Sequence, residues 1–450
     1  MLERLILART FSPYLMSTQD VVPPVSTTAT EELRPVVYEA EQHSIRRGDI
    51  DEDARKVVYR LQRAGFKAYI VGGGVRDILL GKTPKDFDIS TDATPRQIKS
   101  LFRNCRIIGR RFKLAHVFFA HGKTLEVSTF RDTADVPEPA DTDGSPTALV
   151  SNDNIYGTEQ TDALRRDLTI NGLFLDVSTM QVIDYVDGMN DLQHGIIRII
   201  GDPDIRFAED PVRMLRAVRH SARNGFHIES RCWDSILRNS QLITQCSQVR
   251  VFDEIRKDVN SGCFLTILSL LGETGLLEFI LPELLENNAR LLSAESDCSL
   301  CLEKIDDLVN EGAEVSATTV FALLGLFMAG DSIWLRDLAE SLPGSRDLGE
   351  RLSSCFTRLT VPRKERERIQ MLLSLWGRLR ATPPKSLKAG AYKRSALLPD
   401  LLSLAEITQI TREDTQRLHL LKGLWDSDHS DRTHADHPLR PTKMRRNERS

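Results

Sequence analysis

The spacing of apolar residues changes near residue 192, from the period of strands mixed with helices to the period of helices alone. Residues 17–50, rich in Thr, Val, Pro and Glu, keep no period and predict a linker, with order starting near Asp51. A helix is predicted over Glu52–Ala64, ended by Gly65, and a short apolar strand over Lys67–Val71. That strand runs into Gly72-Gly73-Gly74 and a helix, Val75–Leu80, closed by Gly81. Phe87–Ser90 predicts a second strand, and Thr94-Pro95 opens a helix over Arg96–Phe102. Val117–Ala120 and Thr124–Phe130 flank His121-Gly122-Lys123 as a β-hairpin. Asp132–Tyr156 is a long Pro-, Asp- and Ser-rich loop, after which strands resume at Gly172–Val177 and Gln181–Val186.

The pattern therefore predicts an α+β chain, with a small head built on a mixed sheet and an all-helical neck and body behind it. The expected boundaries are a disordered arm and linker over 1–50, the head over 51–191, the neck over 192–260, the body over 261–426 and a basic disordered tail over 427–450. No internal repeat is visible.

Charge narrows the reading. With a net charge of −4, the 450-residue chain has no blanket attraction to nucleic acid, so contact with a phosphate backbone needs local basic patches. The seven cysteines are scattered, which fits a reducing compartment, and the chain is expected to be cytoplasmic. Cys298 and Cys301 form the one CxxC, and no second pair or nearby His completes a zinc site. No apolar run reaches the roughly 20 residues of a membrane span. Met1–Met16 mixes Leu and Ile with Arg4 and Arg9. It reads either as a short amphipathic or transit-like segment or, more plainly, as an ordinary mobile terminus.

Three clusters carry candidate chemistry. The first is Gly72-Gly73-Gly74-Val75-Arg76-Asp77 followed by Asp86-Phe87-Asp88. A glycine turn between strand and helix lets backbone N–H groups approach a triphosphate. Two carboxylates alternating on a strand share a face, where they hold Mg²⁺ together with substrate phosphates. Two such metals activate an attacking 3′ hydroxyl and stabilise departing pyrophosphate. A dinucleotide fingerprint fails on spacing, because Asp77 stands where its third Gly belongs, and no Gly-Lys-Ser/Thr follows the turn. Glu126, between Leu125 and Val127, is either an ordinary exposed residue or a further metal ligand facing the same cleft.

The second cluster is Arg165-Arg166-Asp167-Leu168-Thr169-Ile170-Asn171, whose paired arginines suit phosphate or sugar but also suit a charged helix start. The third is Glu209-Asp210-Pro211-Val212-Arg213. Here Asp210 is the expected N-cap and Pro211 the first helical residue. Val212, Leu215, Val218 and Ala222 form the buried stripe, and Arg213, Arg216, His220 and Arg223 form the opposite face. That face is either a base-reading surface or a solvated basic side.

In this order, the clusters resemble the class II nucleotidyltransferases of the polymerase-β superfamily, a group of CCA-adding enzymes and bacterial poly(A) polymerases. Asp184-Tyr-Val-Asp-Gly188 followed by Asp191-Leu192 resembles that family's hinge between head and neck. The likeness is dense over residues 45–260 and loose beyond. It implies Mg²⁺ as cofactor, ATP and RNA 3′ ends as partners, and a head, a base-binding neck and an RNA-binding helical body. It also implies Asp86 and Asp88 as the metal-binding catalytic pair, and Asp167 as a further catalytic position. Gly72, Gly73, Arg76, Arg165, Arg166, Asn171, Asp210 and Arg213 are implied around the nucleotide.

Ile107–Val117, with Arg110, Arg111 and Lys113, resembles the segment that marks the poly(A) polymerase branch and is a candidate RNA contact. A second candidate lies at Arg378–Arg394. It carries Arg378, Arg380, Lys385, Lys388, Lys393 and Arg394 without an intervening acid, flanked by Trp376 and Tyr392 as possible stacking platforms. The competing readings are a CCA-adding enzyme and a non-catalytic RNA-binding protein on the same fold. The intact Asp86/Asp88 pair argues against the last.

Overall fold

Short runs rich in β-branched and aromatic residues build the sheet of the first of two units, Met1–Leu242 and Ile243–Ser450. The computed structural model describes residues 34–109, 113–132, 156–286, 296–328, 346–387, 392, 395–408 and 415–423. The sheet contains β1 (Val36–Tyr38), β2 (Ala68–Val71), β3 (Asp88–Thr91), β4 (Cys105–Ile108), β5 (Leu114–Phe118), β6 (Thr124–Thr129), β7 (Leu173–Leu175) and β8 (Val182–Asp184). Their spatial order is β1-β8-β7-β2-β3-β6-β5-β4. β3 and β6 run parallel while the other neighbours are antiparallel, so the sheet is mixed as expected.

Four helices lie among these strands. α1 (Glu52–Arg63) starts where Asp51 accepts hydrogen bonds from the Asp53 and Ala54 N–H groups, both at 3.0 Å. It buries Ala54, Val57, Val58 and Leu61, one stripe at helical spacing. α2 (Gly73–Leu79) follows β2, α3 (Pro95–Leu101) opens with a Thr94/Gln97 capping box, and α4 (Glu159–Leu164) precedes β7. Tyr69, Val71, Phe130, Ala163 and Phe174 pack as one apolar cluster beside the sheet.

After β8, Asp184 takes the N–H groups of Val186, Gly188 and Met189, which starts α5 (Gly188–His194). Gly188 is required there, because a Cβ would lie 2.2 Å from the Thr169 carbonyl oxygen. Asp191 is fully buried and holds Thr169 Oγ1 at 2.6 Å and Arg198 Nε at 3.0 Å. Next come β9 (Ile196–Ile197), α6 (Pro203–Glu209), α7 (Val212–Asn224), β10 (His227–Ile228) and α8 (Ser230–Asn239), with β9 and β10 forming a two-residue parallel ladder.

The structure corrects three expectations here. The arm and linker over 1–50 is not unstructured throughout. Val36–Tyr38 pairs with Val182–Asp184 as an edge strand, and two 3-10 turns, Ala40–Gln42 and Arg47–Asp49, lead into α1. The strand after the glycine turn begins at Asp88, so Asp86 lies just outside it. Asp210 is the C-cap of α6 and Pro211 the N-cap of α7. The shift arises because Asp202-Pro203 starts a seven-residue helix that ends at Glu209. The stripe of Val212, Leu215 and Val218 is buried as expected, but His220 and Arg219 are buried too.

The second unit is helical: α9 (Gln248–Asp258), α10 (Phe264–Glu273), α11 (Leu277–Ile280), α12 (Glu283–Glu286), α13 (Asp297–Asn310), α14 (Ala317–Met328), α15 (Arg346–Arg358), α16 (Arg363–Ala381) and α17 (Leu398–Ile407). α14 is buried from Thr318 to Met328 and packs against α15, α16 and α17, as an all-round apolar helix must. Asp306 accepts from the Phe264 and Leu265 N–H groups at 2.6 and 3.0 Å, capping α10 from outside the helix. Cys298 and Cys301 are buried free thiols on α13, and burial pushes the Cys301 thiol up to about 12. Among the described residues, no helix is long and apolar enough to cross a membrane.

Trp376 is not available for base stacking: it is fully buried in α16 and donates its indole N–H to Thr408 Oγ1 at 3.2 Å. Arg378 and Lys385 are exposed, and the Arg380 guanidinium lies 5.3 Å from the Trp376 ring centre. Lys388, Lys393 and Arg394 lie outside the described residues, as do Arg110 and Arg111, the Met1–Met16 segment and the 427–450 tail. The unit boundary at Leu242 falls inside the expected neck.

Candidate active site

β3 brings Asp88 to the edge of a pocket of about 870 Å³ that Asp86 and Glu126 also line. Leu125 and Val127 of β6 point into the core, and alternation turns Glu126 the other way, into this pocket. Glu126 thus lines the same pocket as Asp86 and Asp88, and its carboxylate stands 3.3 Å from His116 Nε2 on β5. Asp88 keeps accessible area but is enclosed by the pocket walls, and the enclosure governs its charge. Burial first, then the Glu126 and Asp86 carboxylates, hold the Asp88 carboxyl above its ordinary value against the pull of Arg166.

Such crowding of like charge is what a bound cation relieves. The donors are hard oxygens, which fit Mg²⁺. Among the described residues, no three His, Cys, Asp or Glu side chains close into a metal cluster. One or two carboxylates completed by substrate phosphates and water suffice for Mg²⁺.

On another side of Asp88 lies the glycine turn. Gly72 has φ +70°, and a Cβ there would sit 3.1 Å from Arg166 Nη1 and 4.0 Å from Asp88 Oδ2. Glycine thus permits both the turn and the close approach of Arg166. Asp162, fully buried, holds Arg165 Nη2 at 2.7 Å and Arg166 Nη2 at 3.0 Å, and receives the Arg131 N–H at 3.3 Å. Burial opposes its ionisation, but Arg166 and Arg165 override that and keep its carboxyl below the usual range. Arg166 also donates to Ser90 Oγ at 3.3 Å and lies over the Phe174 ring at 5.3 Å.

Arg76 and Asn171, two more of the expected nucleotide-site residues, belong to a largely buried relay. Arg76 donates to Asn171 Oδ1 at 2.6 Å and to Asp77 Oδ1 at 2.7 and 2.9 Å. Asn171 Nδ2 donates to Asp167 at 3.3 Å, and Arg216 Nε donates to Asp167 Oδ2 at 2.5 Å. Burial works against the Asp167 charge, yet Arg216 and the N–H donors around it hold its carboxyl well below the usual range. His220 sits 3.4 Å from Arg76 Nη1, and burial together with that cation pushes its imidazole far toward the neutral form. Asp167 therefore belongs to the relay with Arg216, not to the lining of the carboxylate pocket.

Arg213 Nη1 donates to Glu209 Oε2 and to the Arg206 carbonyl, both at 2.8 Å, while Arg206 Nη2 donates to the carbonyls of Arg165 and Arg166 at 2.8 and 2.7 Å. Arg206 thereby ties the start of α7 to the second cluster, with Asp210 between α6 and α7.

Sequence reasoning missed Asp162, Ser90 and Arg206 as parts of this site, and named Glu209 in the third cluster without giving it a role. The one available signal for Asp162 was its i,i+3 and i,i+4 spacing to Arg165 and Arg166. Lys113 is exposed just before β5, outside the pocket lining.

Comparison with known proteins gives two family matches: the Poly A polymerase head domain over residues 68–198, and the probable RNA and SrmB-binding site of polymerase A over residues 225–287. Poly(A) polymerase I of Salmonella typhimurium is 42% identical over 292 residues, which cover 63% of this chain and 62% of that protein. A CCA-adding enzyme of Staphylococcus saprophyticus is 35% identical over 209 residues, 46% of this chain and 50% of that protein. The aligned chain thus spans between half and two thirds of these relatives' own length. The crystal structure of the Bacillus stearothermophilus CCA-adding enzyme in complex with CTP shares the fold, with a TM-score of 0.59, 23% identity, and coverage of 84% of this chain and 82% of that one. The head-domain match runs across the glycine turn, the carboxylate pair and the paired arginines, so this stretch is similar to a poly(A) polymerase head and the chain is similar to poly(A) polymerases and CCA-adding enzymes.

Proposed function

We propose that this protein is a template-independent poly(A) polymerase that transfers AMP from ATP to RNA 3′ ends. The observation that carries the reading is the crowding of Asp86, Asp88 and Glu126 on one pocket, with Arg166 and the Gly72 turn at its margin. In the reaction, the RNA 3′ oxygen bonds to the α-phosphorus of ATP. The bond to the bridging oxygen breaks, pyrophosphate leaves, and the hydroxyl proton passes to water.

Asp86 and Asp88, with Glu126 beside them, would hold Mg²⁺. When bound, the metal lowers the pKa of the attacking hydroxyl and offsets charge on the leaving group. Arg166, fixed by Asp162, faces the triphosphate at the Gly72 turn. Arg76 and Asn171 brace that edge through the buried relay, Arg165 braces it through Asp162, and Asp167 holds α7 to it through Arg216. Asp210 and Arg213, at the junction of α6 and α7, read the base edge. The exposed cations Arg378 and Lys385 in the second unit, with Lys113 in the first, contact the RNA backbone.

The likeness to poly(A) polymerase I, over a longer stretch and at higher identity than to the CCA-adding enzyme, favours adenylate runs. The test is primer extension with Mg²⁺ and each nucleotide in turn. Long products from ATP alone support the proposal. A three-nucleotide product that requires CTP and a tRNA-like end would identify the CCA-adding reading instead. Arg213→Ala is expected to relax nucleotide preference by about 1–3 kcal/mol for the favoured base; equal slowing with all four nucleotides removes the base-reading role.

A further inference from the structure

The pocket of about 870 Å³ is walled by α1, by the turn ahead of β3 and by the β5–β6 hairpin, and neither Gly72 nor Arg166 lines it. Asp88 thus stands between the Gly72–Arg166 edge and the pocket, lining the pocket and lying 4.0 Å from where a Cβ on Gly72 would be. Nucleotidyl transfer needs two substrates meeting at the carboxylates. If the Gly72–Arg166 edge takes the triphosphate, the pocket is left for the acceptor. Its volume suits a group of nucleotide size.

The charges of the pocket say what kind of group. Lys123 is held by Asp51 at 2.6 Å and Asp53 at 3.1 Å, and His116 faces Glu126. Arg55 on α1 and Lys85 in the turn are different. Both line the pocket, and neither side chain has a hydrogen-bond or ion-pair partner among the described residues. Arg55 Nε is fully buried and unpaired. The lining also holds the Asp49, Asp51, Glu52, Asp86, Asp88 and Glu126 carboxylates, yet none pairs with Arg55, and a guanidinium with an unmet buried donor is satisfied by an anion that enters with the substrate. A phosphodiester oxygen matches its planar fork.

We propose that this pocket is the acceptor subsite, and that Arg55 and Lys85 hold the last phosphodiester of the RNA so that its 3′ hydroxyl faces Asp86, Asp88 and Glu126. The proposal rests on the nucleotidyl-transfer reading above, and it makes Arg55 and Lys85 positioning residues.

The phosphate they bind has two sources, the acceptor RNA or the nucleotide triphosphate, and the experiment separates them. KM for a short oligoadenylate primer and KM for ATP are measured for the wild type, Arg55→Ala, Arg55→Lys and Lys85→Ala. Thermal melting monitors the fold. Primer binding is followed in parallel by fluorescence anisotropy without ATP, so that the subsite is read even if the wild type transfers nothing.

Arg55→Ala is expected to raise the primer KM and the primer Kd about tenfold, with ATP KM within about twofold and melting unchanged. Lys restores part of the loss. A primer whose last linkage is an uncharged methylphosphonate should bind the wild type and Arg55→Ala equally, which a merely structural role would not produce. A rise in ATP KM instead of primer KM assigns these cations to the triphosphate and overturns the proposal. So does unchanged primer binding in both alanine variants. Failure of nucleotide transfer by the wild type, with the primer effect intact, removes the enzymatic reading and leaves the RNA subsite standing.

Discussion

Buried charge is arranged differently in the two units. In the unit ending at Leu242, Arg76, Asn171, Asp167 and Arg216 touch in sequence, joining α2, the segment after α4, and α7. In the unit from Ile243, buried carboxylates work separately. Asp306 caps α10, Glu283 pairs with Arg358, and Asp400 meets Ser316 and Arg368. A relay fixes the relative positions of the elements it crosses, at the cost that one loss disturbs the rest. Asp306 and Glu283 each join two elements, and Asp400, with Ser316 and Arg368, ties α14, α16 and α17 in a smaller network of its own. The first arrangement suits a site that must hold several groups in register, and the second suits a helical stack whose order comes from an apolar centre such as α14.

The largest test of this contrast is Asp88→Asn. On the proposed metal-holding role, removing one of three crowded carboxylates should lower nucleotide transfer by at least about a thousandfold. The same change should leave melting at or above the wild-type temperature, because it relieves repulsion from Glu126 and Asp86. A melting point several degrees lower would show that Asp88 is a structural group. Next is Asp162→Ala, which strands the Arg165 and Arg166 guanidiniums around a buried gap and should cost about 3–5 kcal/mol in urea denaturation. Combined with Arg166→Ala it should cost much less than the sum, and simple additivity would break the idea of a coupled set.

Asp306→Ala should cost about 1–2 kcal/mol, the loss of a helix cap, and should add to Glu283→Gln within about 0.5 kcal/mol. A strong departure from additivity there would erase the difference between the units.

The smallest effect is in acid. The Asp167 carboxyl is held below its usual range, so its contribution is present above the unfolded value near about 4 and is lost as pH falls through the folded one. Asp167→Asn should flatten the stability profile below about pH 5. The change is modest because 39% of the Arg216 side chain remains in solvent, where screening weakens the pair. An unchanged acid slope would show that Arg216 adds nothing.

How far the sequence revealed this follows from where each signal is local. The Gly72 turn, the Asp86/Asp88 spacing, and the helix from Glu52 depend on neighbours within a few positions, and each was legible. The sheet order was not, because pairing of β3 with β6 or of β1 with β8 is written in no short window. Val36–Tyr38 is three residues long with Val36 and Val37 exposed, so no alternation betrayed it. α6 was hidden by its length, less than two full turns. That omission displaced the N-cap assignment at Asp210 by one residue. Asp162 looked like one more acid on a polar helix, and its surroundings combine Arg165 and Arg166 from its own helix end with the Arg131 N–H from a distant segment. Trp376 failed as a stacking platform because α16 turns it inward, where it is fully buried and its indole N–H is taken by Thr408.

The pairing of β1 with β8 also sets an order in time. Val36 meets Asp184, so the first described strand must wait for roughly 150 further residues to be synthesised, several seconds or more at about 5–20 residues per second. Until then β1 is an unpaired strand carrying two exposed valines, Val36 and Val37, the kind of segment that seeks another chain's edge. Crowded translation, with nascent chains side by side, is therefore the condition under which this head misassembles first. Slowing synthesis after residue 184 would do nothing for it, whereas delay before that point lengthens the exposure.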